Sequence, residues 1–284
     1  YGGTYYLFEH FLRDFGIEVL KFYSNEEENI AVELIRREKP KIIYIETPAN
    51  PTLDMIDIEL FSKLAKEINA LLIVDNTFLG PIYQKPLEFG ADLVIYSATK
   101  YISGHSDVVA GAVVGYSKYI SEIKKTRTFL GTITDPIDAW LLMRSLETLK
   151  IRFEKQTQNA IEIAKFLKEH PKVKKVYYPE FFTSRQYEIY KKQCLGPGAM
   201  ISFDIKGDEE EAFKFLDSLK VFRLAVSLGG TESLAEHPWS MTHSAIEEEE
   251  KLKFGITRSM IRLSIGIEYV EDLINDLNQA LNNI

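Results

Sequence analysis

"DLVIYSATKYISGHSD", residues 92–107, begins as an apolar run and ends in groups that no core requires. Leu93, Val94 and Ile95 suit a strand buried on both faces, the pattern of a parallel sheet covered by helices. Ser97, Thr99 and Lys100 follow where such a strand stops. In an open parallel sheet, ligands settle beyond the carboxyl ends of strands, so two hydroxyls and an amine at that point indicate a binding crevice. Ser97 and Thr99 are two residues apart and point the same way while the chain stays extended, so both hydroxyls, with nearby amides, can grip one phosphate.

The flanking segments supply the rest of the sheet. "KPKIIYIETPANP" at 39–51 carries a β-branched run from Lys41 to Ile45 that proline and asparagine end. "DIELFSKLAKEINA" then places Leu60, Phe61, Leu64, Ala65 and Ile68 at helical spacing. "LLIV" at 71–74 is a short apolar strand ended by Asp75, and "AGAVVGY" at 110–116 is a further strand. Strands alternating with helical connections predict an α/β domain with a mostly parallel sheet. If the strands ending at Asp75 and Ser97 are neighbours, their polar ends face one crevice. An aspartate before "NT" at a strand end is ordinarily a turn former or helix cap, and a lone lysine ordinarily a solvated charge. Their combination with phosphate-type hydroxyls is what points to a site. The nucleotide fingerprints GxxxxGK[ST] and GxGxxG are both absent.

From Pro136 to His170 there is neither glycine nor a second proline, and the apolar spacing predicts one bridging helix or two in tandem. Beyond it the pattern changes. "KVKKVYYP", "GAMISFDI", "VFRLAVSL" and "MIRLSIGIE" read as strands, with helices at roughly 184–192, 209–219 and 270–283. The expected organisation is therefore a large domain over 1–150 and a smaller α+β domain over 151–284, for 284 residues exceed the usual size of one domain. In "SMIRLSIGIE", alternation sets Ile261, Leu263 and Ile265 on a core face and Arg262 on the opposite, more open one. "EEEE" at 247–250 reads as a solvated loop or helix face, and "YGGTYY" at the start as a glycine turn.

Composition narrows the function classes. A formal charge of −8 without a dense basic run argues against nucleic acid. One cysteine, Cys194, rules out an intrachain disulfide, a CxxC motif and a zinc ribbon, and reads as a packed or half-exposed thiol. The longest apolar stretch, "VVAGAVVG" at 108–115, is far short of the roughly 20 residues of a membrane helix. A soluble, cytoplasmic protein is expected. His237 and His243 have no carboxylate or cysteine at ligand spacing, so no metal is expected. His105 and Asp107 read as residues that fix the loop behind Lys100. The pairs Tyr177, Tyr178 and Phe181, Phe182 read as packing or interface residues.

"YSATKYISGHSD" resembles the lysine segment of the pyridoxal-phosphate enzymes of cysteine and methionine metabolism, and so do "YGGTYYLF", "IETPANPTLDMIDI", "VDNTFLGPIYQKPLEFGADLV", "AVSLGGTESLAEHPWSMTH" and "IRLSIGIE". These run through nearly the whole chain in the family's order. The resemblance implies the aminotransferase-like fold of type I enzymes, with pyridoxal 5′-phosphate as cofactor and an amino acid as substrate. Lys100 would form the Schiff base and later shuttle protons. Asp75 would hold the pyridine nitrogen protonated, Ser97 and Thr99 would clamp the phosphate, and Asn50 would contact the ring hydroxyl. Tyr1 would stack on the ring and help protonate the leaving sulfur, while Arg262, assisted by Ser227, would bind the substrate α-carboxylate. The implied reaction is γ-elimination on methionine or cystathionine, or γ-replacement as in cystathionine γ-synthase and O-acylhomoserine sulfhydrylases.

Two positions discriminate and disagree. Val226 stands where many relatives acting on cystathionine have glutamate, and Gly3 where methionine-cleaving relatives tend to have cysteine. An apolar Val226 cannot pair with the distal ammonium of cystathionine, which tips the reading toward a lyase of broad thioether range. Relatives assemble as tetramers, dimers of dimers, and the same is expected of this chain. The family's N-terminal arm and phosphate turn do not occur in the sequence, so the expectation is that its beginning is missing. A fragment without cofactor is the competing class, and an aminotransferase fits the lysine and aspartate but not "SLGG" or "SATKYISGH".

Overall fold

The computed structural model describes residues 1–24, 28–244 and 246–284. Its first sheet has the order β1, β2, β3, β4, formed by Ile42–Glu46, Leu71–Asp75, Leu93–Ser97 and Gly111–Gly115. The first three run parallel and β4 antiparallel, as the alternation of apolar strands with helices requires. Parallel pairing puts Glu46 opposite Asp75, and Ser97 ends the next strand at the same edge. The polar strand ends therefore converge.

Between β1 and β2 lies helix Ile58–Ile68, whose start is fixed by Asp57 accepting from Leu60 N at 3.1 Å and whose end is Asn69 in the left-handed region. Asp57 also receives Arg185 at 2.8 Å and Lys192 at 2.9 Å from helix Ser184–Gln193. That one carboxylate caps a helix of the first half and anchors a helix of the second. The glycine-free run resolves into two tandem helices, Pro136–Leu146 and Leu149–Glu169. Arg152 on the longer one is buried and donates to the carbonyls of Tyr101 and Ser145 at 3.1 and 3.0 Å, pinning the turn after Lys100. Gly104 in that turn has φ +69°, and a Cβ there would overlap the Arg152 guanidinium.

The second sheet has the order β5, β6, β9, β8, β7, formed by Val173–Tyr177, Met200–Ile205, Met260–Ser264, Leu234–Glu236 and Arg223–Leu224. Its ladders are antiparallel except β7 with β8. Helices Glu209–Ser218 and Val270–Asn282 lie within a residue of their expected bounds. Phe78 and Tyr101 share an apolar cluster with Phe153, Ile201, Phe203, Leu263 and Leu277, and the Tyr101 and Phe153 rings stack at 4.0 Å. The lysine turn thus rests on a core that the second sheet helps to build. Among the described residues, no helix is long and apolar enough to cross a membrane.

Several expectations need correction. "YGGTYY" is not a turn but the short helix Gly2–Tyr6. "VFRLAVSL" forms strand only over Arg223–Leu224, with Ala225 N still donating to Ala235 O at 3.1 Å, because the chain from 226 onward leaves the sheet to cross the lysine turn. Leu234–Glu236 is a strand that the sequence reading missed. Strand β9 is buried on both faces, so Arg262 is 2% exposed, not on an open side. "EEEE" is a solvated helix face at 247–249, as expected, opening helix Glu248–Lys253; only Glu250 departs, accepting from Tyr5 and Lys21 across the fold.

Candidate active site

Lys100 lies in the turn that begins at Ala98, just past β3. The loop 226–230 comes down on it. Gly229 has φ +77°, and a Cβ there would stand 2.7 Å from Tyr101 N, so only glycine lets the two backbones meet. That approach brings Ser227 Oγ to 3.2 Å from Lys100 Nζ. Burial lowers the Lys100 amine from its usual range, Arg262 adds to the effect and Glu236 opposes it.

Asp75 is partly buried and faces the same cleft. Its Oδ1 accepts from Thr77 N and Oγ1 at 3.0 and 2.6 Å, and its Oδ2 from the Tyr44 hydroxyl at 3.2 Å. Burial first, and then the Glu46 carboxylate opposite it in the sheet, raise its pKa against these hydrogen bonds. Among the described residues, no cation is within ion-pairing distance of Asp75. Thr77 Oγ1 in turn accepts from Ser97 N at 2.9 Å, linking the ends of β2 and β3.

Ser97 lines the cleft, whereas Thr99 is held differently from the strand-based expectation. The chain turns at Ala98, and the Thr99 hydroxyl accepts from Ala110 N at 2.9 Å and donates to Ala110 O at 3.2 Å. Its proton is engaged with the loop, so contact with a phosphate requires the hydroxyl to rotate.

Arg262 closes the opposite side. Its Nη1 donates to Glu236 Oε1 at 2.8 Å and to Asn50 Oδ1 at 3.1 Å; its Nη2 donates to the carbonyls of Val226 and Ser227 at 3.0 and 3.2 Å. Val226 therefore offers its backbone to the arginine and leaves its side chain at the cleft wall. Asn50 is fixed by its own N–H donating to Glu46 Oε1 at 2.7 Å. Tyr1 lines the cleft and is largely exposed. A Cβ on Gly3 would lie 2.7 Å from its ring, so any side chain at position 3 presses on Tyr1.

The structure thus brings Tyr1, Asn50, Asp75, Ser97, Lys100, Val226 and Arg262 to one cleft, with Ser227 against Lys100 and Thr99 behind it. Glu46, Thr77, Glu236 and Thr242 belong to the same constellation and escaped the sequence reading. A larger cleft of about 560 Å³ opens elsewhere, between Phe22, Asp54, Met55, Arg185 and Gln186. It contains no lysine, and its arginine is tied to Glu28 and Asp57. Among the described residues, no group of three or more His, Cys, Asp or Glu side chains is arranged to hold a metal. His105 Nδ1 lies 2.6 Å from Ser103 O, within the loop that it was expected to fix. Cys194 donates to Gln84 Oε1 at 3.2 Å, and burial pushes its pKa up to about 12.

Similarity to known proteins gives the family of the chain. The sequence model of the Cys/Met metabolism PLP-dependent enzymes matches residues 1–282. The chain belongs to that family. It is 47% identical to an L-methionine γ-lyase of Fusobacterium nucleatum over all of this chain and 72% of that protein. It is 48% identical to a cystathionine γ-lyase of Bacillus subtilis, again over all of this chain and 74% of the relative. In three dimensions it matches the crystal structure of a cystathionine γ-synthase of Xanthomonas oryzae pv. oryzae with a TM-score of 0.95 at 42% identity, over 100% of this chain and 73% of that one. The fold is accordingly that of these pyridoxal-phosphate enzymes.

The site fits the family's cofactor on its own chemistry. A carboxylate raised in pKa and lacking a cation suits a protonated ring nitrogen, and an amine of lowered pKa in the same cleft suits an aldehyde.

Proposed function

We propose that this enzyme is a carbon–sulfur lyase that eliminates the γ sulfur of sulfur amino acids, methionine or cystathionine. With water, the substrate yields a 2-oxo acid, ammonia and a thiol. The observation that carries the reading is the convergence of Lys100, Asp75 and Arg262 on one cleft. When bound, pyridoxal phosphate supplies an electrophile for the substrate amine and an electron sink for charge developing at the α carbon.

The protein's own groups do the rest. Asp75 provides the negative charge that holds the ring nitrogen protonated. Ser97, with Thr99 after rotation of its hydroxyl, holds the phosphate, and Asn50 contacts the ring hydroxyl. Arg262 orients the substrate by its α-carboxylate, with Ser227 beside it. Lys100 Nζ, its pKa lowered by burial and by Arg262, takes the proton from the α carbon and returns it to a neighbouring carbon. The Tyr1 hydroxyl delivers a proton to the departing sulfur. Val226 leaves the distal end of the substrate apolar, which favours a simple thioether over one bearing a distal ammonium.

The likeness to a cystathionine γ-synthase structure supports a second reading, γ-replacement, in which a thiol takes the place of the leaving group. Release of 2-oxo acid should be followed side by side from methionine and cystathionine, with O-acylhomoserine plus cysteine as a third substrate set. Oxo acid from a thioether without added thiol supports the lyase. Cystathionine as sole product from the third set would make the enzyme a synthase, and no turnover of any set would overturn both readings.

The division near residue 150 belongs to the same proposal, with helix Leu149–Glu169 as the link. So does a homotetramer. Phe129, Ile133, Ile137, Trp140 and Met143 leave an apolar surface on and between the helices of 117–146, which suits contact with further copies. A cytoplasmic location fits a role in amino-acid metabolism.

A further inference from the structure

We infer that Glu236 is the resident counter-ion of Arg262 and competes with the substrate α-carboxylate for it, thereby setting how tightly amino acids are held. The inference rests on Arg262 being the carboxylate anchor, as proposed above. Glu236 on β8 stands opposite Arg262 on β9 in register, and the two are 0% and 2% exposed. Glu236 Oε1 takes both Arg262 Nη1 at 2.8 Å and the Thr242 hydroxyl at 2.9 Å. Its Oε2 is buried and meets no partner among the described residues, and the same holds for Arg262 Nε.

The guanidinium has five N–H groups, and four are already committed, to Glu236, Asn50, Val226 and Ser227. A carboxylate held by two bonds must use Nε and displace at least one of those acceptors, or displace two. Three of the acceptors are neutral. Glu236 alone carries charge, so it alone repels the incoming carboxylate while it pairs with the arginine. A carboxylate with no function beyond holding β8 to β9 would affect the empty and the occupied site alike. A counter-ion does not, because the empty site loses the one negative partner that Arg262 has among the described residues when Glu236 is neutralised, whereas in the occupied site the ligand supplies one. Neutralisation therefore tightens carboxylate binding.

The test compares L-norleucine, which has a methionine-like chain and no leaving group, with n-pentylamine, the same chain without the carboxylate. Affinities are measured calorimetrically on pyridoxal-phosphate-loaded wild type, Glu236→Gln and Glu236→Asp. Glu236→Gln is expected to bind norleucine about tenfold more tightly and pentylamine as wild type does, since like charges near a partly screened site differ by roughly that factor. Glu236→Asp, with its charge drawn back by one methylene, moves norleucine affinity the same way by about threefold; it carries the test should Glu236→Gln fail to fold. Unchanged norleucine affinity in the variants, or equal losses for both ligands, would overturn the counter-ion role. Wild type binding norleucine no better than pentylamine would instead overturn Arg262 as anchor, and this inference with it.

Discussion

Replacing Arg262 by lysine keeps the charge and discards the fork. In the structure the guanidinium spans Glu236 and Asn50 on one side and the carbonyls of Val226 and Ser227 on the other. A lysine has one nitrogen, which cannot occupy both ends of that span, and it holds a carboxylate as a point charge. A two-bond grip therefore falls to one. A hydrogen bond to a charged group contributes about 1.5–3 kcal/mol, so kcat/KM for the amino-acid substrate should fall about 10–150-fold. Most of the loss should appear in KM, because the fork orients the carboxylate before and during the reaction. The carbonyls of Val226 and Ser227 each lose a part-buried hydrogen bond, worth about 0.5–1.5 kcal/mol, so the thermal midpoint should fall as well. Steady-state release of 2-oxo acid and thermal unfolding of the same Arg262→Lys preparation measure both effects. A kcat/KM within about threefold of wild type, below what one lost charged hydrogen bond costs, would refute the reasoning about the fork.

Asp75→Asn keeps one acceptor oxygen, enough for Thr77, but turns an amide donor toward the Tyr44 hydroxyl and loses the charge. Turnover should fall by about 10²–10³, the usual cost of removing one electrostatic partner of the reacting system. The cofactor-free protein should gain stability at neutral pH. A carboxylate whose pKa is raised on folding costs stability at any pH above its unfolded value, and asparagine removes that cost. Gly229→Ala forces an alanine to φ +77° with its Cβ against Tyr101 N, and should lower stability by about 2–4 kcal/mol in denaturant titrations. His243 is buried, and burial first, with nearby positive charge, lowers its pKa to about 3. Its folded pKa lies below the unfolded one, so its contribution is present above about pH 6.5 and lost as pH falls toward 3. His243→Gln should flatten the decline of stability across that window, which unfolding midpoints at stepped pH would reveal.

The sheet was legible where each strand is an apolar run punctuated by polar residues, as at "LLIV" followed by Asp75 and "DLVIY" followed by Ser97. Parallel pairing then brings those ends together without further information. Helix Ile58–Ile68 was legible for a similar reason, since its spacing and its Asp57 cap are local signals. The loop 226–230 was not, because its apolar residues look like strand while its path is set by contact with the Tyr101 backbone. Thr99 misled by alternation, which ceases when the chain turns at Ala98. Glu46 and Glu236 were invisible for a different reason. A glutamate at a strand end looks solvated until register places a partner opposite it, Asp75 in one case and Arg262 in the other. The burial of Arg262 likewise depends on elements far along the chain packing against both faces of its strand.

Lys100 is proposed as the amine that takes the cofactor. The purified protein should be loaded with pyridoxal phosphate, reduced with borohydride, digested and mapped by mass spectrometry. A pyridoxyl-phosphate mass increment on the peptide containing Lys100, and its absence from Lys100→Ala, is the predicted result. The increment on another lysine, or an equal yield from Lys100→Ala, would contradict it.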